Sequence, residues 1–260
     1  MRFVQLTDPH VVPQERQPVH KFNTADRLRC AVAAVNRLRP APDFVVMTGD
    51  LTNDEQASSY RHVKTLLSEL TVPCHVIPGN HDARKPFREV MLGESNSHPQ
   101  VLTETFIHGE CRFILLDTLD EGQVTGVVDS GQLAWLEDIL SSNDSRSVVV
   151  CMHHPPVVLG VQWLDDLMLQ DAHQLLDILD ANESVKMVLC GHVHHDFCVA
   201  RKHYLVHTCP AVSVQFRKEP LPSPAESPLS LMTDDPAAFR IIDVTDGNFE
   251  TTIHSVPDYP

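Results

Sequence analysis

Residues 44–50, FVVMTGD, form a short apolar run that stops on a glycine and a carboxylate. A run of this length bounded by turn residues reads as a strand covered on both faces, with an acidic side chain at its end. Working outward, the same scheme returns in FVQLTDPH at 3–10, CHVIPGNHD at 74–82, VVVCMHH at 148–154 and MVLCGHVH at 187–194. These runs deliver Asp8 and His10, then Asp50, then Asn80 with His81 and Asp82, then His153 with His154, and finally His192 with His194. A single histidine at a strand end is ordinary. Five such ends describe strands that release imidazole and carboxylate groups at one edge, which is how a polynuclear metal site is built.

The segments between the runs read as helices. Residues 24–38 place Leu28, Ala31, Val32, Val35 and Leu38 on one face, and Pro40 and Pro42 then forbid continuation. Residues 54–70 do the same with Tyr60, Val63, Leu66, Leu67 and Leu70. A hairpin is expected around Gly109, and helices over SGQLAWLEDIL and DAHQLLDILD. Alternation of strand and helix predicts an α/β (α+β) fold with a largely parallel sheet covered on both faces. Beyond residue 195 the texture changes to hairpins, DFCVARKHYLVHT and AAFRIIDVTDGNFETTIHSV, the second turning at Asp246-Gly247. The expected division is a catalytic core over 1–200 and a strand-rich C-terminal extension or cap over 201–260, packed on the core, with a proline-rich connector at 217–236 near the site mouth.

Composition bounds the function. The chain has 260 residues, 42% hydrophobic and 21% charged, as in an ordinary soluble protein with a substantial core. Its formal net charge of −15 argues against a nucleic-acid partner, which would be held by clustered Lys and Arg. Two bound cations would reverse the sign locally, so a small anionic substrate stays compatible. The 7 cysteines are odd in number and scattered without a CxxC pair. No basic-then-apolar leader and no apolar run of membrane length are visible, so the expectation is a reduced, cytoplasmic protein without a membrane partner.

The ordered motifs DxH, GD, GNHD, HHPP and GHxH resemble the calcineurin-like metallophosphoesterase superfamily over about residues 1–200. Within it, GDLTN, PGNHD and CMHHPP resemble the branch of class III cyclic-nucleotide phosphodiesterases and bacterial glycerophosphodiesterases. The resemblance implies a four-layer αββα sandwich, two sheets flanked by helices, with metals at the strand ends. It implies that Asp8, His10 and His194 hold a first metal, that Asp50 bridges both, and that Asn80, His153 and His192 complete the second. His81 is then the histidine at the substrate phosphate. Two divalent ions are implied, Fe2+ or Mn2+ before Zn2+ or Co2+; imidazole and carboxylate without thiolate suit that choice. A shared carboxylate holds two cations about 3.5–4 Å apart, and water there can lose a proton near neutral pH.

The expected reaction is hydrolysis of a small phosphodiester, a 3′,5′-cyclic nucleotide first and a glycerophosphodiester next, by metal-bound hydroxide with His81 stabilising or protonating the leaving alkoxide. A phosphomonoesterase or nuclease could use the same site, and a silent metal-binding scaffold is the rival from another class. Around the ligands, His154 can orient one of them or pack, and Asp82 can support a ligating histidine or a turn. Asn53 can reach substrate or merely cap a helix, and His20 lies in the loop 11–23 that borders the site. His195 can simply face solvent. A homodimer or larger homo-oligomer is left open.

Overall fold

The computed structural model describes residues 1–19, 21–94, 100–142, 145–219, 221 and 226–256. Two sheets stack face to face. The first runs in the order β11-β10-β1-β2-β3, with β1 Arg2–Leu6, β2 Phe44–Thr48, β3 Cys74–Ile77, β10 Ala237–Thr245 and β11 Asn248–Val256. The second runs β4-β5-β6-β7-β9-β8, with β4 Glu104–His108, β5 Cys111–Leu115, β6 Ser147–Cys151, β7 Val185–Cys190, β8 Cys198–Arg201 and β9 Tyr204–Thr208.

Strand periodicity sorts side chains between layers. In β2, Val45 and Met47 face the helices, whereas Phe44 and Val46 enter the space between the sheets. In β6, Val148 and Val150 face outward and Val149 and Cys151 inward; in β7, Val188 and Cys190 oppose Met187 and Leu189. Both faces need apolar residues, so the runs show no polar alternation. Phe3 and Phe44 stack at 5.2 Å, and Phe113 meets them edge-on at 5.1 and 5.0 Å, which ties the two inner faces together.

The outer faces are covered by amphipathic helices. Helices α1 Thr24–Arg37 and α2 Ala57–Leu67 pack on the first sheet through Leu28, Ala31, Val32, Tyr60 and Val63. Asn23 caps α1 by accepting the amide of Asp26 at 3.1 Å. The one-turn helix α3 Arg84–Phe87 follows the GNHD motif and buries Phe87 in that layer. Helix α4 Ser130–Ser141, the one-turn α5 Gln162–Asp165 and helix α6 Ala172–Asp180 follow; α4 and α6 cover the second sheet with Leu136, Leu175 and Leu179. The layers are therefore helix, sheet, sheet, helix.

The sheets are mixed rather than largely parallel. The interiors β1-β2-β3 and β5-β6-β7-β9 are parallel, while β10, β11, β4 and β8 join antiparallel. The reason is local: each antiparallel pair β4-β5, β8-β9 and β10-β11 is a hairpin closed by two residues, and Asp246 and Gly247 at the last turn have φ of 50° and 75°. The last hairpin pairs with β1, so Arg2 to Gln5 lie opposite Asp243 to Arg240. No helix of the described residues is long and apolar enough to cross a membrane.

Candidate dinuclear metal centre

The five ligand-bearing segments leave β1, β2 and β3 of the first sheet and β6 and β7 of the second at their carboxyl ends, so the site lies across the open end of the sandwich. A buried side chain links the two sheets and, within the first, β1 to β2. Gln5 donates through Nε2 to the carbonyl of Cys190 at 2.9 Å and to the Thr48 hydroxyl at 3.0 Å.

The chain turns sharply to present its ligands. Of 9 non-glycine residues with positive φ among the described residues, five are Asp8, His10, Asp50, His192 and His194. Each such conformation costs on the order of 1–3 kcal/mol and persists only where the surroundings enforce it. Gly49, at φ 96°, supplies the one turn next to a ligand that glycine makes cheaply. The sequence suggests the same need at Gly79 and Gly191, but those two serve space. A Cβ on Gly79 would lie 2.3 Å from Asp50 Oδ1, and one on Gly191 would lie 2.1 Å from Thr7 Oγ1.

Two groups of side chains converge there. Asp8, His10 and His194 form one, with His10 Nε2 3.1 Å from His194 Nε2 and His194 Nε2 3.5 Å from Asp8 Oδ1. Asn80 Oδ1 centres the other, 3.1 Å from His153 Nε2 and 2.9 Å from His192 Nδ1. Asp50 stands between them: Oδ2 is 3.4 Å from His10 Nε2, and Oδ1 is 3.4 Å from His153 Nε2. All seven candidate ligands proposed from the sequence thus come together, and the carboxylate expected to be shared reaches both groups.

Backbone carbonyls set the tautomers. His153 donates Nδ1–H to Thr48 O at 2.8 Å, His194 donates Nδ1–H to Val214 O at 2.7 Å, and His192 donates Nε2–H to Leu167 O at 2.9 Å. The remaining nitrogen of each ring then aims its lone pair into the cluster, as a metal-ligating histidine needs. For two of the rings the electrostatics agree. Burial pushes His10 and His192 down to about 3, keeping them as neutral imidazoles. Burial alone would raise Asp8 and Asp50, yet the facing imidazoles, His194 for Asp8 and His153 for Asp50, hold both below the usual carboxylate range. Burial also opposes charge on His153, but Asp50 and Asp8 outweigh it and lift the ring to about 9. These buried carboxylates draw positive charge, a proton on His153 included, so the donor set suits a pair of divalent cations.

The supporting residues are more varied. Asp82 is buried and touches no ligating histidine. Its carboxylate accepts the amides of Leu51 at 3.0 Å, Thr52 at 3.2 Å and Gly79 at 2.9 Å, and the Tyr60 hydroxyl at 2.9 Å, clamping the Asp50 loop to the Asn80 loop. Burial, together with repulsion from Asp50, lifts it to about 6. His154 donates Nε2–H to Val124 O at 3.1 Å and accepts the Thr118 hydroxyl at 2.7 Å on Nδ1. Both its nitrogens are thereby engaged, and it packs on His192 with ring centroids 4.6 Å apart. Asn53 lines the cavity and caps no helix, because α2 begins at Ala57 behind Gln56. His195 is half-buried beside Phe197, where burial lowers it to about 4. His20 lies outside the described residues. His81 is exposed in the cavity, its ring 4.8 Å from that of His10, and its amide donates to Asp50 Oδ1 at 2.8 Å.

The cavity above the cluster measures about 370 Å³ and adds residues that no motif singles out, among them Val124, Trp163, Leu167, Phe216 and Leu229. They come from segments distant in sequence and carry no metal-binding chemistry. The one local signal is that Trp163 and Leu167 stand one helical turn apart after the HHPP motif.

Comparison with known proteins agrees with the geometry. The family model described as calcineurin-like phosphoesterase matches residues 1–196, and the chain belongs to that family. It is accordingly an enzyme of phosphoester hydrolysis with a site built for two metals. It is 30% identical over 255 residues to the 3′,5′-cyclic adenosine monophosphate phosphodiesterase CpdA of Pseudomonas aeruginosa, covering 98% of this chain and 90% of that one. It is 28% identical over 257 residues to a 3′,5′-cyclic-nucleotide phosphodiesterase of Nostoc, covering 97% and 91%. A probable glycerophosphodiester phosphodiesterase, GpdQ of Arcobacter nitrofigilis, is 34% identical over 199 residues, covering 75% and 72%. The fold superposes on a dimetal phosphatase from Danio rerio with a TM-score of 0.70 at 17% identity, covering 98% of this chain and 99% of that one. That last likeness speaks for the fold alone.

Proposed function

We propose that the protein hydrolyses small phosphodiesters, 3′,5′-cyclic nucleotides before glycerophosphodiesters. The observation that carries this reading is Asp50 standing between two ligand groups, with the exposed His81 beside them facing a cavity of small-molecule size. The relatives spanning 97% and 98% of the chain are named as cyclic-nucleotide phosphodiesterases, whereas the glycerophosphodiesterase match spans 75%. The net charge of −15 speaks against a nuclease.

In this reading Asp8, His10 and His194 hold one cation, Asn80, His153 and His192 the other, and Asp50 both. When bound, the pair supplies Lewis acidity at the phosphoryl oxygens and makes water acidic enough to attack phosphorus near neutral pH. Fe2+ or Mn2+ suits the donor set, with Zn2+ or Co2+ as alternatives. Asn80 contributes an uncharged oxygen and leaves more of that acidity at its site than a carboxylate would. The carbonyls of Thr48, Leu167 and Val214 keep the imidazoles in the required tautomer and orientation. His81, free of those restraints, stabilises or protonates the leaving alkoxide. The free cysteines fit the reducing cytoplasm.

The test is reconstitution of stripped protein with Mn, Fe, Zn or Co, followed by rates on cyclic AMP, bis-p-nitrophenyl phosphate, glycerophosphoethanolamine and p-nitrophenyl phosphate. Faster turnover of the monoester than of the diesters would sink the reading. His81→Ala should lower turnover while metal content holds; equal metal loss would remove its catalytic role.

A further inference from the structure

The cavity has two chemically different sides. Its floor is the ligand cluster, with Asn53 and His81 at the edge. Its wall is apolar: Trp163 and Leu167 come from α5 and just beyond it, Val124 from the loop after β5, and Phe216 and Leu229 from the segment before β10. Val124 and Leu229 are 49% and 46% exposed, so this wall presents apolar surface to whatever enters. Trp163 and Phe216 meet edge-on with centroids 6.0 Å apart, and Phe216 lies 5.1 Å from the ring of His194. Trp163 is anchored by Nε1–H donated to Glu219 O at 3.1 Å, and a backbone bridge between Phe216 and Met232 fixes the main chain that carries the other ring. The aromatic corner therefore begins where the ligand cluster ends.

Two hydroxyls lining the cavity are already engaged, which leaves Asn53 and His81, at the edge of the floor, as the polar side chains it offers beyond the candidate ligands. The Thr24 hydroxyl donates to His10 O at 3.0 Å, and the Ser213 hydroxyl donates to Asp8 O at 2.5 Å. A polyol such as glycerol would find few partners there and would cover apolar surface with hydroxyls, which is unfavourable. A flat heterocycle would bury that surface and stack on an indole or phenyl face, an interaction that tolerates any base.

We propose that Trp163 and Phe216 are specificity-determining residues, the wall on which the planar base of a cyclic nucleotide stacks while its phosphate lies at the metal cluster. The proposal rests on the phosphodiesterase reading above and goes beyond it by choosing between its two substrate classes. Stacking of this kind changes affinity by about 5- to 150-fold.

The experiment compares kcat/KM for 3′,5′-cyclic AMP with kcat/KM for glycerophosphoethanolamine in the wild type, Trp163→Ala and Trp163→Tyr. The ratio should fall by that factor in Trp163→Ala, mainly through KM, and recover most of its value in Trp163→Tyr. The second measurement needs no turnover. In a Trp135→Phe background, which leaves Trp163 as the sole tryptophan, adenosine 5′-monophosphate should quench fluorescence saturably and glycerol 3-phosphate should not. A ratio within twofold of wild type, or no quenching by the nucleotide, overturns the stacking wall even where cyclic AMP is a good substrate. If Trp163→Ala fails to fold, the quenching result decides. A wild type that cleaves no cyclic nucleotide overturns the substrate reading and the wall with it; a wild type that cleaves cyclic AMP without the Trp163 effects overturns the wall alone.

Discussion

Asp82 offers a demanding test of how the site is held. Its carboxylate is 1% exposed and accepts three backbone amides, those of Leu51, Thr52 and Gly79, besides the Tyr60 hydroxyl. Asp82→Ala leaves those amides without their acceptor in a region where Leu51 and Thr52 are fully buried. A buried unpaired amide costs about 1–3 kcal/mol. Three of them exceed the relief from deleting a carboxylate that burial and Asp50 already hold at about 6. The expected net loss is about 3–5 kcal/mol. In a chain of 260 residues, at about 2–4 °C per kcal/mol, that corresponds to a fall in Tm of about 6–20 °C. Because Asp82 joins the loop carrying Asp50 to the loop carrying Asn80, metal content should fall as well. Tyr60→Phe is the control: it removes one contact to Asp82 and the acceptor for the Ala83 amide, so it should cost about 1–2 kcal/mol. Urea unfolding with metal analysis measures both variants. If Asp82→Ala loses no more than Tyr60→Phe and keeps its metals, the clamp argument is wrong.

Further outcomes follow from the same geometry. Gly191→Ala forces a Cβ to within 2.1 Å of Thr7 Oγ1 and 2.9 Å of Asp8 Oδ2, so it should cost at least about 1–3 kcal/mol and weaken metal binding; unchanged metal stoichiometry would show that the loop has room to give. Removing metals with a chelator should lower Tm, and Mn at 100 times its Kd should restore about 2.7 kcal/mol, whereas a Tm indifferent to Mn would contradict a metal-stabilised centre. Asp180 accepts Arg201 at 3.0 and 2.8 Å and the Tyr204 hydroxyl at 3.0 Å, tying α6 to the β8-β9 hairpin, so Asp180→Asn should destabilise by about 1–2 kcal/mol. Those bonds, against the opposing effect of burial, hold Asp180 below its ordinary 3.8. Its stabilisation is therefore complete above pH 3.8 and fades as pH falls through the lower folded value; a variant with the same acid-unfolding profile as wild type would refute this contribution.

The candidate ligands were legible in the chain because each strand end carries its chemistry locally. An apolar run followed by Asp, Asn or His reads the same before folding as after, and the order of five such ends narrows the family sharply. Helices α1 and α4 were equally visible, through apolar spacing and turn residues. Other features needed contacts across the fold. That Asp82 binds amides rather than a histidine depends on where Leu51 and Gly79 come to rest. That His154 has both nitrogens occupied depends on Thr118 and Val124, thirty or more residues upstream. Gly79 and Gly191 looked like turn glycines, and only the crowding around them shows that they make room for Asp50 and Asp8.

The sequence by itself determined the reaction class, because metal chemistry depends on donor identity and each donor sits at the end of its own strand. Tertiary structure decided how the donors divide into two groups around Asp50, which nitrogen of each histidine is presented, and what surrounds the substrate. Those properties belong to pairs of residues separated by long stretches of chain. Trp163 and Phe216 have no common signature in sequence, and only their meeting at the cavity makes them one wall.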